Sequence, residues 1–145
     1  MNLLEYIKNP VTGNDLLNVV VSSVNDKEKE LVDLQKKQWA EGKNREGEVI
    51  GRYKPFTERK SKEQPFPNKP KVAEQPYNLD WSGDLKRKTF AKGKKSNKDV
   101  TVVIDSKGVA LDKLFETVKK HGLISDPNTL FGYQQKNKDA FVKLI

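Results

Sequence analysis

Apolar residues recur along the chain at two different spacings, and the change from one to the other divides it. In the opening NLLEYIK, Leu3, Leu4 and Ile7 fall on one helical face, and Pro10 followed by Gly13 ends the piece. A longer piece carries Leu16, Leu17, Val20, Val24, Leu31, Leu34 and Gln38 at steps of three and four with gaps, and Gly42 supplies a stop. The spacing predicts helix through 1–42, in two pieces. Within it the consecutive valines of NVVVSSV suit a strand as well as a helix, so the predicted helix is best defined over 27–40.

Residues 43–78 lose the helical spacing. Five of the seven prolines (Pro55, Pro65, Pro67, Pro70 and Pro76) lie here among Lys, Glu and Gln, which predicts an extended connection rather than helix or central strand. A connection this long inside a compact domain is unusual and reads as a linker or a binding arm. Its rings, Tyr53, Phe56, Phe66 and Tyr77, favour an arm, because a spacer has no use for large apolar side chains and an arm gains from each ring it buries on a neighbour.

From Leu79 the period becomes two. DLKRKTFA and DVTVVID read as strands joined by KGKKSNK, a flexible connection too long for a two-residue hairpin turn. Val100, Val102 and Ile104 face one way and Thr101 and Val103 the other, so the second strand is expected to be buried on both sides and the polar first strand to be the edge. LDKLFETVKKHG follows as an amphipathic helix, with Leu111, Leu114, Phe115 and Val118 on one stripe and Gly122 at its stop. SDP, ending at Pro127, opens a short helical turn. A last helix over 134–144 is expected to bury Phe141, Leu144 and Ala140. The prediction is one α+β domain: N-terminal helical segment (1–42), extended Pro-rich arm (43–78), and a small antiparallel sheet with C-terminal helices (79–145).

Composition bears on how such a domain is held together. Of 145 residues, 34% are hydrophobic and 33% charged, so material for a core is thin and contacts with other molecules are expected to supply part of the stability. The net charge of +8 favours polyanions or acidic protein faces. Cysteine is absent, which excludes disulfides and thiolate metal sites. The opening MNLLEYIKNP lacks the basic and apolar regions of a secretory signal. No window approaches the ~18 apolar residues of a membrane span, so no membrane partner is expected.

The charge concentrates in KRKTFAKGKKSNK, where Lys86, Arg87, Lys88, Lys92, Lys94, Lys95 and Lys98 have no acidic residue among them. A hairpin tip of this kind suits a phosphate backbone or an acidic protein face. Edge-strand lysines that block unwanted pairing are the third reading, and Phe90 is the only ring nearby, unlike single-strand binders. Catalytic signals are weak. The lone His121 sits where a helix C-terminus favours a cation. AKGKKSN lacks the upstream glycine of a phosphate loop, and Asp80, Asp84, Asp99 and Asp105 stand where strand ends and turns use acids. Glu58 and Lys60 have the Glu-x-Lys spacing of some metal-dependent nucleases, a triplet common by chance in a chain this rich in both. No cofactor, metal site or catalytic residue is predicted.

Four segments, LQKKQWAEG, IGRYKPFT, YNLDWSGDLKRKTF and LFGYQQKNKDAFVKL, occur in an order that resembles a small family of virion proteins from Bacteroidetes and crAss-like gut phages. In that family the pattern runs Gly-x-Tyr-x-x-x-Thr, Leu-x-Asp-Thr-Gly before an aromatic strand, and Phe/Leu-Gly-Leu before an Asn-rich helix. The middle motif is also similar to the Asp-Thr-Gly-x-Leu turn of tail-completion proteins. The likeness covers about residues 31–145, and this chain has Asp80-Trp81-Ser82-Gly83 and Gly132-Tyr133 where the family has Asp-Thr-Gly and Gly-Leu. The resemblance implies a non-enzymatic subunit of the head-to-tail connector of a virion, a neck ring or tail-completion protein packed with copies of itself and with portal or tail proteins. On that reading Tyr53, Phe56, Phe66 and Tyr77 contact neighbours, and Arg87, Lys92, Lys94, Lys95 and Lys98 meet acidic faces or packaged DNA. A basic nucleic-acid-binding protein is the alternative, and a small metal-dependent nuclease a third.

Overall fold

In a computed structural model of the protein, the described residues are 12–63, 70–80, 83–121 and 126–144. The fold is α+β, with helices before and after a two-stranded antiparallel sheet along the chain. The predicted helix over residues 2–8 and the Phe66 ring lie outside the described residues.

Helix α1 (Gly13–Asp26) starts at a capping box, in which Thr12 and Asp15 satisfy each other's backbone N–H. It includes the valines of NVVVSSV, so the ambiguity there resolves as helix. A turn at Lys27 separates it from α2 (Glu28–Ala40). Gly42, at φ +70° and packed on Pro76 and Tyr77, ends the helical run as a left-handed residue can.

The 43–78 stretch is not an extended arm. Helix α3 (Pro55–Glu63) lies inside it, because Pro55 sits in the first turn, where its missing N–H costs nothing, and the next proline comes only at 65. The chain then returns onto itself. The N–H of Tyr53 donates to the Gln75 carbonyl at 2.9 Å, that of Glu74 to Tyr53 at 2.9 Å and that of Tyr77 to Gly51 at 2.8 Å. Glu58 is a tie in this loop: its carboxylate accepts from the Ala73 N–H at 2.7 Å and pairs with Lys62 at 2.6 Å.

Residues 84–88 are also not strand. After Gly83 (φ +77°) a short helix α4 (Asp84–Arg87) sends Leu85 into the core. Strand β1 (Phe90–Lys95) then pairs with β2 (Val100–Asp105) in the register Phe90↔Asp105 to Lys95↔Val100. The connection is shorter than expected. Residues 96–99 close the hairpin with the Ser96 N–H on the Asp99 carbonyl at 2.9 Å and the Ser96 hydroxyl on the Asp99 carboxylate at 2.6 Å. Helix α5 (Val109–His121), a 3-10 turn (Pro127–Leu130) and α6 (Gln135–Leu144) complete the chain. Val118 is buried as the stripe predicts and Phe141 half-buried, but Ala140 is exposed.

Two clusters make the core. Trp39, Ile50, Leu85, Val118, Leu130 and Phe131 form one, and Val24, Leu31, Val32 and Ala91 the other, with Ile104 packed against both. The α1 helix crosses β1 closely: a side chain at Gly93 would meet the Val21 backbone at 3.2 Å.

Candidate functional site

The cations of the sequence motif fold apart. Arg87 lies on α4 and is paired with Asp84. Lys95 turns toward α1, where its ammonium donates to Asn14 and Asn18 at 2.8 and 2.7 Å, so it ties strand to helix. Lys98 is exposed in the 96–99 turn. Only Lys92 and Lys94 share an open surface. They alternate with the inward Ala91 and Gly93 and lie opposite Val103 and Thr101, beside Phe90, whose ring carries the Lys107 ammonium 4.9 Å from its centre. The Lys92 and Lys94 positions are therefore strand, not flexible tip.

The rings of the 43–78 stretch divide in the same way. Tyr53 is buried, packs edge-on against Tyr77 with ring centres 4.5 Å apart, and donates its hydroxyl to Asn78 at 2.9 Å. These two rings hold the loop to its own chain, Tyr77 remaining half-buried. Phe56 is 59% exposed under Arg59 and Lys60. Burial pushes the Tyr53 phenol up to about 12. Lys71, also buried, donates to the Asp80 carbonyl and to Asn78, and burial lowers its pKa.

Acidic residues do not converge. Asp80 pairs with Lys86 at 3.4 Å, Asp99 belongs to the hairpin turn, and Asp105 accepts from its neighbour's N–H at 2.7 Å. Among the described residues no three His, Cys, Asp or Glu side chains group as metal ligands, and no helix is long and apolar enough to cross a membrane. The His121 side chain lies outside the described part of the structure.

The least anticipated feature is a clamp made by two glutamines of α2. Gln35 and Gln38 are fully buried and bond the backbone of 130–134. The Gly132 N–H donates to Gln35 Oε1 and the Gln134 N–H to Gln38 Oε1, each at 2.8 Å, while Gln38 Nε2 donates to the Gly132 carbonyl at 2.9 Å. Trp39 adds its indole N–H to the Leu130 carbonyl at 2.7 Å and packs edge-on against Phe131. Helical spacing placed Gln38 on the inner stripe but gave no sign of a backbone partner far away in sequence.

The clamp fixes one wall of a groove of about 550 Å³. Its floor is the outer side of β2 at Val102 and Ile104, one wall is α5 at Leu111 and Phe115, and the other is Phe131, Tyr133 and Phe141. The Tyr133 hydroxyl donates to the Leu31 carbonyl at 2.6 Å, which holds this wall to α2. Arg45 and Lys138 stand at the rim. Both strands are edges of the two-stranded sheet, as expected for β1, but α1 covers the outer side of β1, whereas β2 has no further strand beside it among the described residues. Thr101 is exposed and the other β2 residues only half-buried, so β2 is not enclosed on two sides.

No family model, curated protein or solved structure matches the chain.

Proposed function

We propose that this protein is a non-enzymatic structural subunit of a bacteriophage head-to-tail connector, a neck-ring or tail-completion protein that works by packing among copies of itself and neighbouring virion proteins. One observation carries the reading: the sheet is left with one open face and one open edge. A two-stranded sheet is marginal alone, and an uncovered, β-branched edge is a pairing hazard unless something completes it. The likeness to virion proteins supplies the setting. Described parts of all four segments behind it enter one body, LQKKQW clamping LFGYQ and GRY pairing with the stretch around Tyr77. The long arm no longer contributes, since most of its described part is folded back.

The open Lys92 and Lys94 favour a second reading, a nucleic-acid-binding protein whose sheet face meets phosphates. Native mass spectrometry at rising concentration, alone and with duplex DNA, separates the two. Discrete ring-sized oligomers support the connector. A strict monomer that binds duplex with steep salt dependence removes it in favour of DNA binding.

A further inference from the structure

We infer that the groove along β2 receives an extended segment of another protein as a third strand, with apolar side chains at alternate positions and carboxylates between them. The inference rests on the packing role proposed above and specifies how one neighbour is held.

The orientation of the backbone is the first argument. In an antiparallel pair, residues opposite one another without mutual hydrogen bonds turn both N–H and C=O away from the partner strand. The Gly93 N–H leaves the sheet to donate to Asn25 on α1 at 3.1 Å, so Gly93↔Val102 is such a pair. Val102, and Ile104 two residues on, therefore turn their N–H and C=O toward the groove. No backbone partner reaches these groups among the described residues. On the β1 side Asn25 takes the Gly93 N–H and α1 lies against the strand, leaving β2 as the edge open to pairing.

The groove's shape and charge define the occupant. Unpaired backbone donors and acceptors alternating along an edge are matched by another extended main chain. Leu111, Phe115, Phe131 and Phe141 accept apolar side chains from one face of that strand. Its other face lies on the side of Lys92 and Lys94, one strand further in, and meets the Asp105 carboxylate at one end, while Arg45 and Lys138 also line the groove, so carboxylates at the positions away from Asp105 complete it. Walls on both sides admit a single strand and exclude the β2 of a second copy, which is recessed between the same walls.

The probe is a blocked hexapeptide of alternating glutamate and valine carrying a fluorophore, titrated by anisotropy against full-length protein below its assembly concentration. Two further peptides carry N-methyl groups on one edge or on the other. Binding of the parent and of only one methylated peptide, with the other weakened at least about tenfold, is the expected result. Equal binding of both methylated peptides, or no binding of the parent, overturns strand addition. Val102→Pro removes one outward N–H while keeping the bonds to β1, as edge strands tolerate, and should weaken the parent similarly. Undiminished binding by a folded V102P protein counts against the inference. Ring formation, followed on the same samples by native mass spectrometry, separates the two proposals. Rings without peptide binding sink strand addition alone, and peptide binding by a strict monomer sinks the connector alone.

Discussion

The 130–134 segment and strand β2 are both short stretches packed near α2, yet their polar backbones meet opposite fates. The first has its N–H and C=O groups bonded by Gln35, Gln38 and Trp39. The second is bonded on one side only, with its other side facing an apolar groove. Buried backbone groups in folded proteins are almost always paired, and the glutamine clamp meets that demand within the chain. At β2 the demand is left standing on the surface, at the edge where the proposed third strand would join.

The largest effect should come from breaking the closed region. Trp39→Ala removes a fully buried ring and its bond to Leu130 and is expected to cost about 3–5 kcal/mol, read by urea denaturation. A loss below about 1 kcal/mol would show that the clamp is not a structural centre. Next, Gln38→Leu keeps the bulk but strands the Gln134 N–H, costing about 1–3 kcal/mol. Gly93→Val should cost a similar amount by pushing α1 off β1, and its signature is faster exchange of the Asn25-bonded amide.

A smaller effect depends on pH. Tyr53 has its phenol raised from 10.0 to about 12, because burial disfavours the charged form. The folded state then keeps its proton where the unfolded state loses it, so Tyr53 contributes full stability below pH 10 and loses it between about 10 and 12. Tyr53→Phe should flatten the alkaline decline in that window; an unchanged profile would mean that the ring is not buried as described. The smallest effect belongs to the open region: Lys92→Ser with Lys94→Ser should change stability by no more than about 0.5 kcal/mol while weakening binding of acidic partners at low salt.

How much of this could be read in advance follows from which forces are local. The α5 stripe of Leu111, Leu114, Phe115 and Val118, the stop at Gly42 and the two-strand hairpin were legible because each follows from spacing or from a single special residue. The α3 helix was not, since proline density masked the fact that Pro55 occupies a helix's first turn and leaves 56–63 free. Residues 84–88 read as strand because Leu85 alternates with charged neighbours, whereas its burial beside Val118 and Trp39 is a tertiary choice. The helix over the β1 edge was missed for a related reason. Polarity made β1 look exposed, but its Gly93 admits α1 and its Lys95 is tied by asparagines, and none of those partners is near in sequence. The open edge of β2 looked like core because Val and Ile suit burial against a partner as well as within the chain.

The most direct measurement is amide hydrogen exchange along β2 in the isolated protein. Thr101 and Val103, which bond β1, should exchange slowly, while Val102 and Ile104 exchange fast and become protected when a strand or an assembled neighbour is added. Equal, strong protection of all four amides in the isolated chain would contradict the account, because the edge would then already be closed.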